Sequence, residues 1–533
     1  MRLDATPPPA WGQRFTLMGN FRQPLLSVHA GQWQTWDGQL YAQSDDVDLA
    51  QLRRYADLGL DVAQGRGALR AWLDVSRGQV SGATADVLLT QVQATLTPEL
   101  QALSFPRLAG RLGGRWLPGG FEFATQDLQF ELDDGLHWPG GNVRFMHVAA
   151  QGRAPARGEL QADRLDLVAL TRIAQRLPLD PQWHEALLTH APRGLVERIQ
   201  ASWQGGLDAP SRLEAKGRVV QLALGAGPAS PGPGRTVSLG RPGVRGATLD
   251  FDLNQAGGRA TLGLQDGQLE FPGLFEAPKL DFAQLSTDVQ WQIEGQRISV
   301  QMPNLKFSNA DAQGEAQIKW QTATTGSRLP GVLDLQGSLS RADATRVHRY
   351  LPLDIERDVR DYLRDAITEG RASAVRFRVK GDLNDFPFAN PKQGEFRVTA
   401  SLQDATLVYV PRRLQPVAAL PWPALTQISG ELLIDHASLQ LKDINARLAG
   451  APGVRISRAD ARIPNLLQGA TVDVSTEAKG PLSEWLNVLV KGSPLGEMTG
   501  HVLKQATANG NADLQLTLKL PLTNIDKTTI KGR

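Results

Sequence analysis

The residues of this chain that are capable of chemistry do not form a known catalytic or metal-binding motif. Eight histidines are present, and no pair of them has the His-Glu-x-x-His spacing of a zinc-binding helix. There is no Gly-x-Ser-x-Gly sequence to supply a hydrolase nucleophile. The absence of cysteine excludes thiolate ligands, cysteine nucleophiles and disulfides. The histidines are His29, His137, His147, His184, His190, His348, His436 and His501.

Two glycine-rich segments and one acidic segment have simpler interpretations than a site. GRGALR at 65–70 and AGGRA at 256–260 are interpreted as turns between strands, since neither has the lysine of a phosphate-binding loop or the acidic partner of a dinucleotide-binding fold. The acidic residues from Asp354 to Asp365 are interleaved with arginines at helical spacing, as on a solvated helix face. We therefore expect no enzymatic activity, no metal and no cofactor.

The charge of the chain does not indicate a nucleic-acid ligand. There are 57 basic and 55 acidic residues, which give a net charge of +2. The short basic row of Arg376, Arg378 and Lys380 has no ladder of stacking aromatic residues on its face. A hydrated sheet face explains such a row, and contact with anionic lipid headgroups is an alternative. We expect no nucleic acid among the partners.

Alternation of apolar and polar residues runs through most of the chain and predicts a mainly β fold. Gln515, Thr517 and Lys519, for example, stand between four leucines, which is the period of a strand with one apolar face. About 30 such segments, with a few short amphipathic helices, predict a long antiparallel meander that closes into barrels, stacks as sandwiches, or twists and curls into a long β-groove. The residues predicted to line its apolar face are Leu249, Phe251, Leu253, Trp291, Ile293, Val375, Phe377, Val379, Leu514, Leu516, Leu518 and Leu520.

Short helical segments are predicted to interrupt the strands at four places. The phrases VDLAQLRRYADLGLD, LDLVALTRIAQRLPLD and ADATRVHRYLPLD each have an aspartate at or near their start, namely Asp48, Asp166 and Asp343. We interpret each aspartate as a helix N-cap that accepts hydrogen bonds from the first helical turn. The predicted helical inserts, with a weaker fourth copy last, lie near 47–61, 165–199, 341–369 and 481–490.

The insert at 341–369 has the fullest pattern. Ala344, Val347 and Tyr350 recur at three-residue spacing, and a second helix is predicted to begin at Asp354 and to stop at Gly370. The apolar stripe of that second helix is predicted to comprise Ile355, Val359, Tyr362, Leu363, Ala366 and Ile367.

A one-sided sheet of this length needs a cover for its apolar face. The Pro- and Gly-rich segment 225–243 is predicted to be a loop between a first β-groove portion at 1–224 and a second at 244–533. An acyl chain lying in such a groove gains about 0.8 kcal/mol for each buried CH₂ group. The periodicity is therefore compatible with three ways of covering the apolar face: a bound lipid, closure of the sheet on itself, or stacking of two sheets.

The segment 349–388 resembles the central signature of the YhdP family of AsmA-like bacterial envelope proteins. It reads RYLPLDIERDVRDYLRDAITEGRASAVRFRVKGDLNDFPF, and AGGRATLGL at 256–264, FPGLFEAP at 271–278 and LPWP at 420–423 match in the same order. Tyr362 departs from the family, which usually has tryptophan there. By this resemblance the chain is similar to an internal piece of a longer member.

This resemblance implies a role in moving phospholipid between the inner and outer membranes, which maintains outer-membrane lipid homeostasis and the permeability barrier. It implies a groove of the bridge-like lipid transfer type, which holds phospholipid acyl chains and reaches the two membranes through missing segments or partner proteins. The implied location is the periplasm, with an inner-membrane anchor that is absent from these residues, since no apolar run approaches the roughly 20 residues of a membrane span. A periplasmic scaffold that binds envelope-assembly partners and carries no lipid is the alternative.

Overall fold

A computed structural model describes residues 1–6, 13–23, 32–53, 61–96, 100–133, 135–138, 140–174, 176–177, 181–206, 210–232, 235–324, 328–467, 470–522 and 527–533. The fold is 62% strand and 12% helix, and 27 strands belong to one open antiparallel sheet. The predicted fold class, a mainly β chain with one long antiparallel sheet and few short helices, is confirmed. The chain divides into two compact units, Met1–Gly227 with Gly243–Leu262 and Pro228–Pro242 with Gly263–Arg533.

The strands follow one another closely along the chain. In order they are β1 (Arg2–Ala5), β2 (Phe15–Arg22), β3 (Asp37–Asp48), β4 (Asp61–Ser76), β5 (Gln79–Thr95), β6 (Leu103–Leu117), β7 (Gly120–Glu131), β8 (His137–Trp138), β9 (Val143–Val148), β10 (Arg157–Ala162), β11 (Leu165–Asp166), β12 (Arg193–Gly205), β13 (Pro210–Leu224), β14 (Ser230–Gly232), β15 (Arg235–Ser238), β16 (Gly243–Asn254), β17 (Gly257–Glu270), β18 (Lys279–Glu294), β19 (Arg297–Ser308), β20 (Ala312–Gln321), β21 (Val332–Asp343), β22 (Ile367–Asp382), β23 (Gly394–Leu407), β24 (Leu425–Asp435), β25 (Ser438–Leu448), β26 (Ala451–Ile463), β27 (Thr471–Pro481), β28 (Asn511–Pro521) and β29 (Thr529–Gly532).

Helices are short and lie both inside and outside the predicted inserts. They are α1 (Leu49–Leu52), α2 (Leu167–Ala174), α3 (Pro181–His190), α4 (Arg357–Ala366), α5 (Leu482–Trp485) and α6 (Leu495–Met498), with a 3₁₀-helix at Ala344–Tyr350 and a π-helix at Leu486–Lys491. Helix α6 and the 3₁₀-helices Trp33–Thr35, Leu383–Asp385 and Arg412–Leu414 lie outside the predicted inserts. The second insert is shorter than predicted, because β12 begins soon after Pro192, at Arg193. Residues 54–60 of the first insert lie outside the described part of the chain.

Each unit is a succession of antiparallel neighbours. In the first unit the pairing runs β1-β2-β3-β4-β5-β6-β7-β9-β10-β12-β13-β16. In the second it runs from β18 to β29 without omission. The segment 225–243, predicted as a loop, contains the short antiparallel pair β14–β15, and residues 228–242 group with the second unit.

Tight turns explain this meander. The β4–β5 hairpin turns through Arg77 and Gly78, whose φ angles of 51° and 73° match a type I′ turn, and Ser76 pairs with Gln79 on either side of it. Such a turn follows the twist of the two strands, so adjacent segments of the sequence become adjacent strands. The hydrophobic core forms where the helical inserts return to the sheet. Leu49 of α1 packs in one cluster with Val62 and Val92.

The helix α4 begins later and faces differently than the sequence pattern predicts. It starts at Arg357, and Gly370 lies inside β22 instead of ending the helix. Val359, predicted in the apolar stripe, is 45% exposed, whereas Arg360 is buried. The prediction that Val359 lies on the buried side of α4 was therefore wrong. The segment that packs against α4 decides which side of the helix is buried. Glu276 of that segment lies 3.8 Å from Arg360 Nε.

Candidate functional site

One face of the sheet in the first unit carries a continuous apolar row. Side chains that are directly paired across ten neighbouring strands, from β3 to β16, are all apolar or glycine. Because residues opposite each other in an antiparallel pair point to the same face, these positions form one uninterrupted strip. They are Leu40, Leu73, Ala83, Gly114, Phe123, Phe145, Leu160, Ala201, Ala215 and Leu253.

The second unit repeats this arrangement. One row crosses eight strands from β19 to β26, and a second crosses seven strands from β23 to β29 on the same face. The first row is Leu305, Ala316, Gly337, Phe377, Val398, Ile434, Leu439 and Ile463. The second row is Ala400, Leu432, Leu441, Ala461, Val474, Leu518 and Ile530. No charged residue stands in either row.

The structure places all the residues predicted to line a groove on these apolar faces. In the first unit, Leu249, Phe251 and Leu253 pair with Val219, Gly217 and Ala215, respectively. The remaining predicted residues lie on β18, β22 and β28 of the second unit, and all but one have apolar or glycine partners. The exception is Leu516, which faces Thr476 in β27.

The exposure of these predicted residues is uneven. Val375 is 7% exposed and Ile293 is 40% exposed, and the others are half-buried. The face is therefore neither a closed core nor a hydrated surface.

Aromatic rings on this face lie over glycines of the neighbouring strand. Gly337 faces Phe377, and a Cβ atom added there would overlap the Phe377 ring and the backbone oxygen of Glu315. Gly217 stands in the same relation to Phe251 of the first unit. The absence of a side chain at these glycines lets each ring cover the adjacent backbone, which keeps the strip apolar where no side chain contributes.

The opposite face of the sheet is polar and extensively paired. Arg378 lies 3.1 Å from Asp334 and 3.3 Å from Glu395 on the two neighbouring strands. In the first unit Arg111 forms a two-pronged pair with Asp86, at 2.6 and 3.0 Å. This side-chain pairing makes the two faces chemically distinct, so a ligand without polar groups fits only the apolar one.

The three aspartates interpreted as caps make local backbone contacts. The Asp48 carboxylate accepts a hydrogen bond from the Ala50 N–H at 2.9 Å, and Asp166 accepts one from Val168 at 2.8 Å. Asp343 accepts one from Thr345 at 2.9 Å at the start of the 3₁₀-helix. These contacts satisfy donors of the first turn and bring no second reactive group to the aspartate.

The described residues contain no group of three or more His, Asp or Glu side chains that is arranged to hold a metal. His29 lies outside the described residues. Within the described part of the chain, no helix combines the length and apolarity that crossing a membrane requires.

Comparison with known families assigns the chain. The sequence model of a family described as YhdP protein matches residues 1–533, the whole chain. The chain belongs to the YhdP family. Searches among curated proteins and among solved structures found no match.

The YhdP-family signature contains a buried polar cluster that the sequence analysis missed. Asp311, in the turn between β19 and β20, is 7% exposed and accepts hydrogen bonds from Arg349 at 2.6 Å and from Tyr350 at 2.9 Å. Asn309 donates to the Tyr350 hydroxyl at 3.0 Å. Burial raises the pKa of Tyr350 to about 12. The only signal of this cluster in the sequence was an Asn-x-Asp turn. Such a turn is explained by hydrogen bonds to its own backbone, so it did not indicate a contact with a distant segment.

The second helix of the YhdP-family signature is also held by polar contacts, which reach the loop between β23 and β24. The Tyr362 hydroxyl donates to the Tyr409 carbonyl at 3.1 Å, and Arg413 pairs with Asp365 at 3.0 Å. Burial raises the pKa of Tyr409 to about 12. These contacts position the insert and leave the apolar rows as the part of the molecule that is suited to a ligand.

Proposed function

We propose that this chain shields phospholipid acyl chains on its apolar sheet faces during transport between the inner and outer membranes. In this proposal it acts without catalysing a reaction, as a periplasmic portion of a protein anchored in the inner membrane. The observation that carries the proposal is the pair of mostly half-buried apolar rows that cross the second unit from β19 to β29 without a charged residue. Membership in the YhdP family supports the envelope role.

The physical basis is the burial of hydrocarbon. Each CH₂ group that leaves water for such a face contributes about 0.8 kcal/mol, and an acyl chain has no hydrogen-bonding group for the face to satisfy. The row of Leu, Ile, Val, Phe, Ala and Gly offers the same environment at each strand. A chain can therefore shift from strand to strand at little cost, whereas a charge in the row would have to be desolvated at each passage.

Charge substitution tests the proposal. Leu516→Asp and Phe377→Asp are expected to reduce the transfer of a fluorescent phospholipid from donor to acceptor vesicles at least tenfold. Thr517→Asp is the matched control, because Thr517 is exposed on the polar face next to Leu516. Unchanged transfer by both apolar-face variants, with folding verified by circular dichroism, would rule out the apolar rows as the lipid path.

A scaffold that binds envelope-assembly proteins is the second candidate, and one observation favours it. The loop between β23 and β24 presents Leu414, Val417 and Leu420 to solvent, and Val417 is 93% exposed. Arg412 holds this loop in shape by donating to the carbonyls of Val417 and Ala419. If Val417→Asp abolished the cellular permeability barrier while Leu516→Asp left it intact, the scaffold would be the better account.

A further inference from the structure

A line of β-bulges crosses four neighbouring strands of the second unit. Ala374 in β22, Asp404 in β23, Gln427 in β24 and Asp443 in β25 all have left-handed backbone, with φ of 49–51°. The pairing register shifts beside each of them. The N–H group of Asp443 is satisfied by the carboxylate of Asp460 at 3.0 Å. We call these four residues the bulge line. It divides each strand into a helix half, on the side of α4 and α5, and a hairpin half, on the side of the turn between β24 and β25.

The helix half is a closed protein core. On β25, Ile444 and Ala446 follow the bulge and are 6% and 5% exposed. They pack in one cluster with Ala405 and Ile428 of the two preceding strands. The neighbouring cluster of Leu448, Ala451 and Val454 is covered by Trp485 of α5 and by Val488 and Leu489 of the π-helix that follows it.

Protein covers the hairpin half of the same face only at its end, where the fully buried Phe388 lies over Gly381 and Gly394. On β25, Leu439 and Leu441 precede the bulge and are half-buried, as are Phe377 and Val379 on β22. These residues still belong to the apolar face. The two halves therefore have the same chemistry and differ in how fully protein buries their side chains.

The first unit has the same division. Its helical inserts contribute Leu49 and Ala169 to core clusters beside the helix-side ends of β4, β5 and β7. At the hairpin-side end of β7, Phe121 and Phe123 are 38% and 41% exposed although they are aromatic residues on the apolar face. The division therefore recurs with different residues, which indicates that it is a property of the architecture.

We infer that lipid occupies only the hairpin half of the apolar face, and that the helical inserts close the helix half permanently. This inference rests on the proposed function and restricts it to part of the face. Because Leu441 and Phe377 lie in the open half, they contact acyl chains. Ala405, which follows the bulge on β23 and is 8% exposed, belongs to the protein core and does not. The helices thus set the width of the lipid path.

Paired photo-crosslinking positions test this inference in the full 533-residue chain. A small diazirine amino acid is placed singly at Phe377 or Leu441 in the hairpin half, and at Ala405 or Ala446 on the other side of the division. Arg376 on the polar face is the background control. Each protein is incubated with vesicles of radiolabelled phosphatidylethanolamine and phosphatidylglycerol and irradiated, and label on the chain is counted. We expect at least fivefold more label at Phe377 and Leu441 than at the other three positions.

The outcomes separate the inference from the proposed function. Equal labelling of Leu441 and Ala446, both above Arg376, would overturn the inference and leave lipid carriage standing. Background labelling at all positions would overturn both. A second measurement covers the case in which a core position disturbs folding: Ile444→Ala should lower Tm by several degrees and leave bound lipid per folded chain unchanged. Leu441→Ala should lower bound lipid with a smaller change in Tm, and the reverse result would contradict the inference.

Discussion

The Tyr350 hydroxyl donates a hydrogen bond of 2.9 Å to the Asp311 carboxylate, across 39 residues of sequence. The same carboxylate oxygen accepts from Arg349 at 2.6 Å. This contact attaches the 3₁₀-helix of the family signature to the turn between β19 and β20. It fixes the first part of the helical insert against the sheet, and with it the boundary between protein core and open apolar face.

Removing the Asp311 charge should destabilise the second unit. Asp311→Asn leaves the Arg349 guanidinium and the Tyr350 hydroxyl with a weaker acceptor, and hydrogen bonds to charged groups contribute about 1.5–3 kcal/mol each. We expect a loss of about 2 kcal/mol in the free energy of unfolding, measured by urea denaturation. Glu431→Gln, on an exposed side chain of β24, is the control and should change it by less than about 0.5 kcal/mol. Equal effects of the two substitutions would contradict this role.

The buried tyrosines predict a loss of stability at alkaline pH. Burial raises the pKa of Tyr350 and Tyr409 to about 12, above the value of about 10 in the unfolded chain. The folded protein therefore retains these protons more tightly, so their stabilisation is complete below pH 10 and is lost as pH rises through about 12. Urea midpoints should fall over this interval, and Tyr409→Phe should make the fall shallower. Tyr41→Phe, which removes a hydroxyl that donates to Gln43 in the first unit, is the control.

The three capping aspartates should contribute to stability and not to phospholipid transfer. Replacement of Asp48, Asp166 or Asp343 by alanine removes an acceptor for the first helical turn, which costs about 0.5–2 kcal/mol. We expect a lower urea midpoint for each variant and unchanged vesicle-to-vesicle phospholipid transfer at a temperature where the variants remain folded. A selective loss of transfer without a loss of stability would show that an aspartate contacts the ligand.

Gly337 should tolerate no side chain while Phe377 is present. A methyl group at Gly337 would overlap the Phe377 ring, and overpacking of this kind costs about 1–3 kcal/mol. The variant Phe377→Ala removes the overlap with the ring and leaves the one with the Glu315 backbone oxygen. The double variant with Gly337→Ala should therefore be more stable than the sum of the two single losses predicts, and less stable than Phe377→Ala alone. Gly263, where an added Cβ meets no atom within 4 Å, is the control position. Additive losses at 337 and 377 would contradict the proposed contact.

Local sequence patterns determined much of the secondary structure of this protein and indicated its family. Alternation at 514–520 predicts a strand because side chains of an extended backbone point to opposite faces, whatever the strand pairs with. Three-residue spacing of Ala344, Val347 and Tyr350 predicts a short helical segment, and the structure has a 3₁₀-helix there, whose turn is three residues. The signature at 349–388 indicated the family that the match over the whole chain then showed.

Tertiary structure alone decided which apolar residues are available. Leu441 and Ile444 have the same character in the sequence, and a bulge at Asp443 shifts the register between them. Ile444 lies inside a buried cluster, whereas Leu441 packs at its edge and stays half-buried. Arg360 and Val359 exchange the faces that periodicity assigns to them, since Glu276 and its segment lie on the other side of α4. Periodicity reports the conformation of the local backbone. Burial depends on partners that are distant in sequence, so a single strand cannot show whether protein or lipid will cover it.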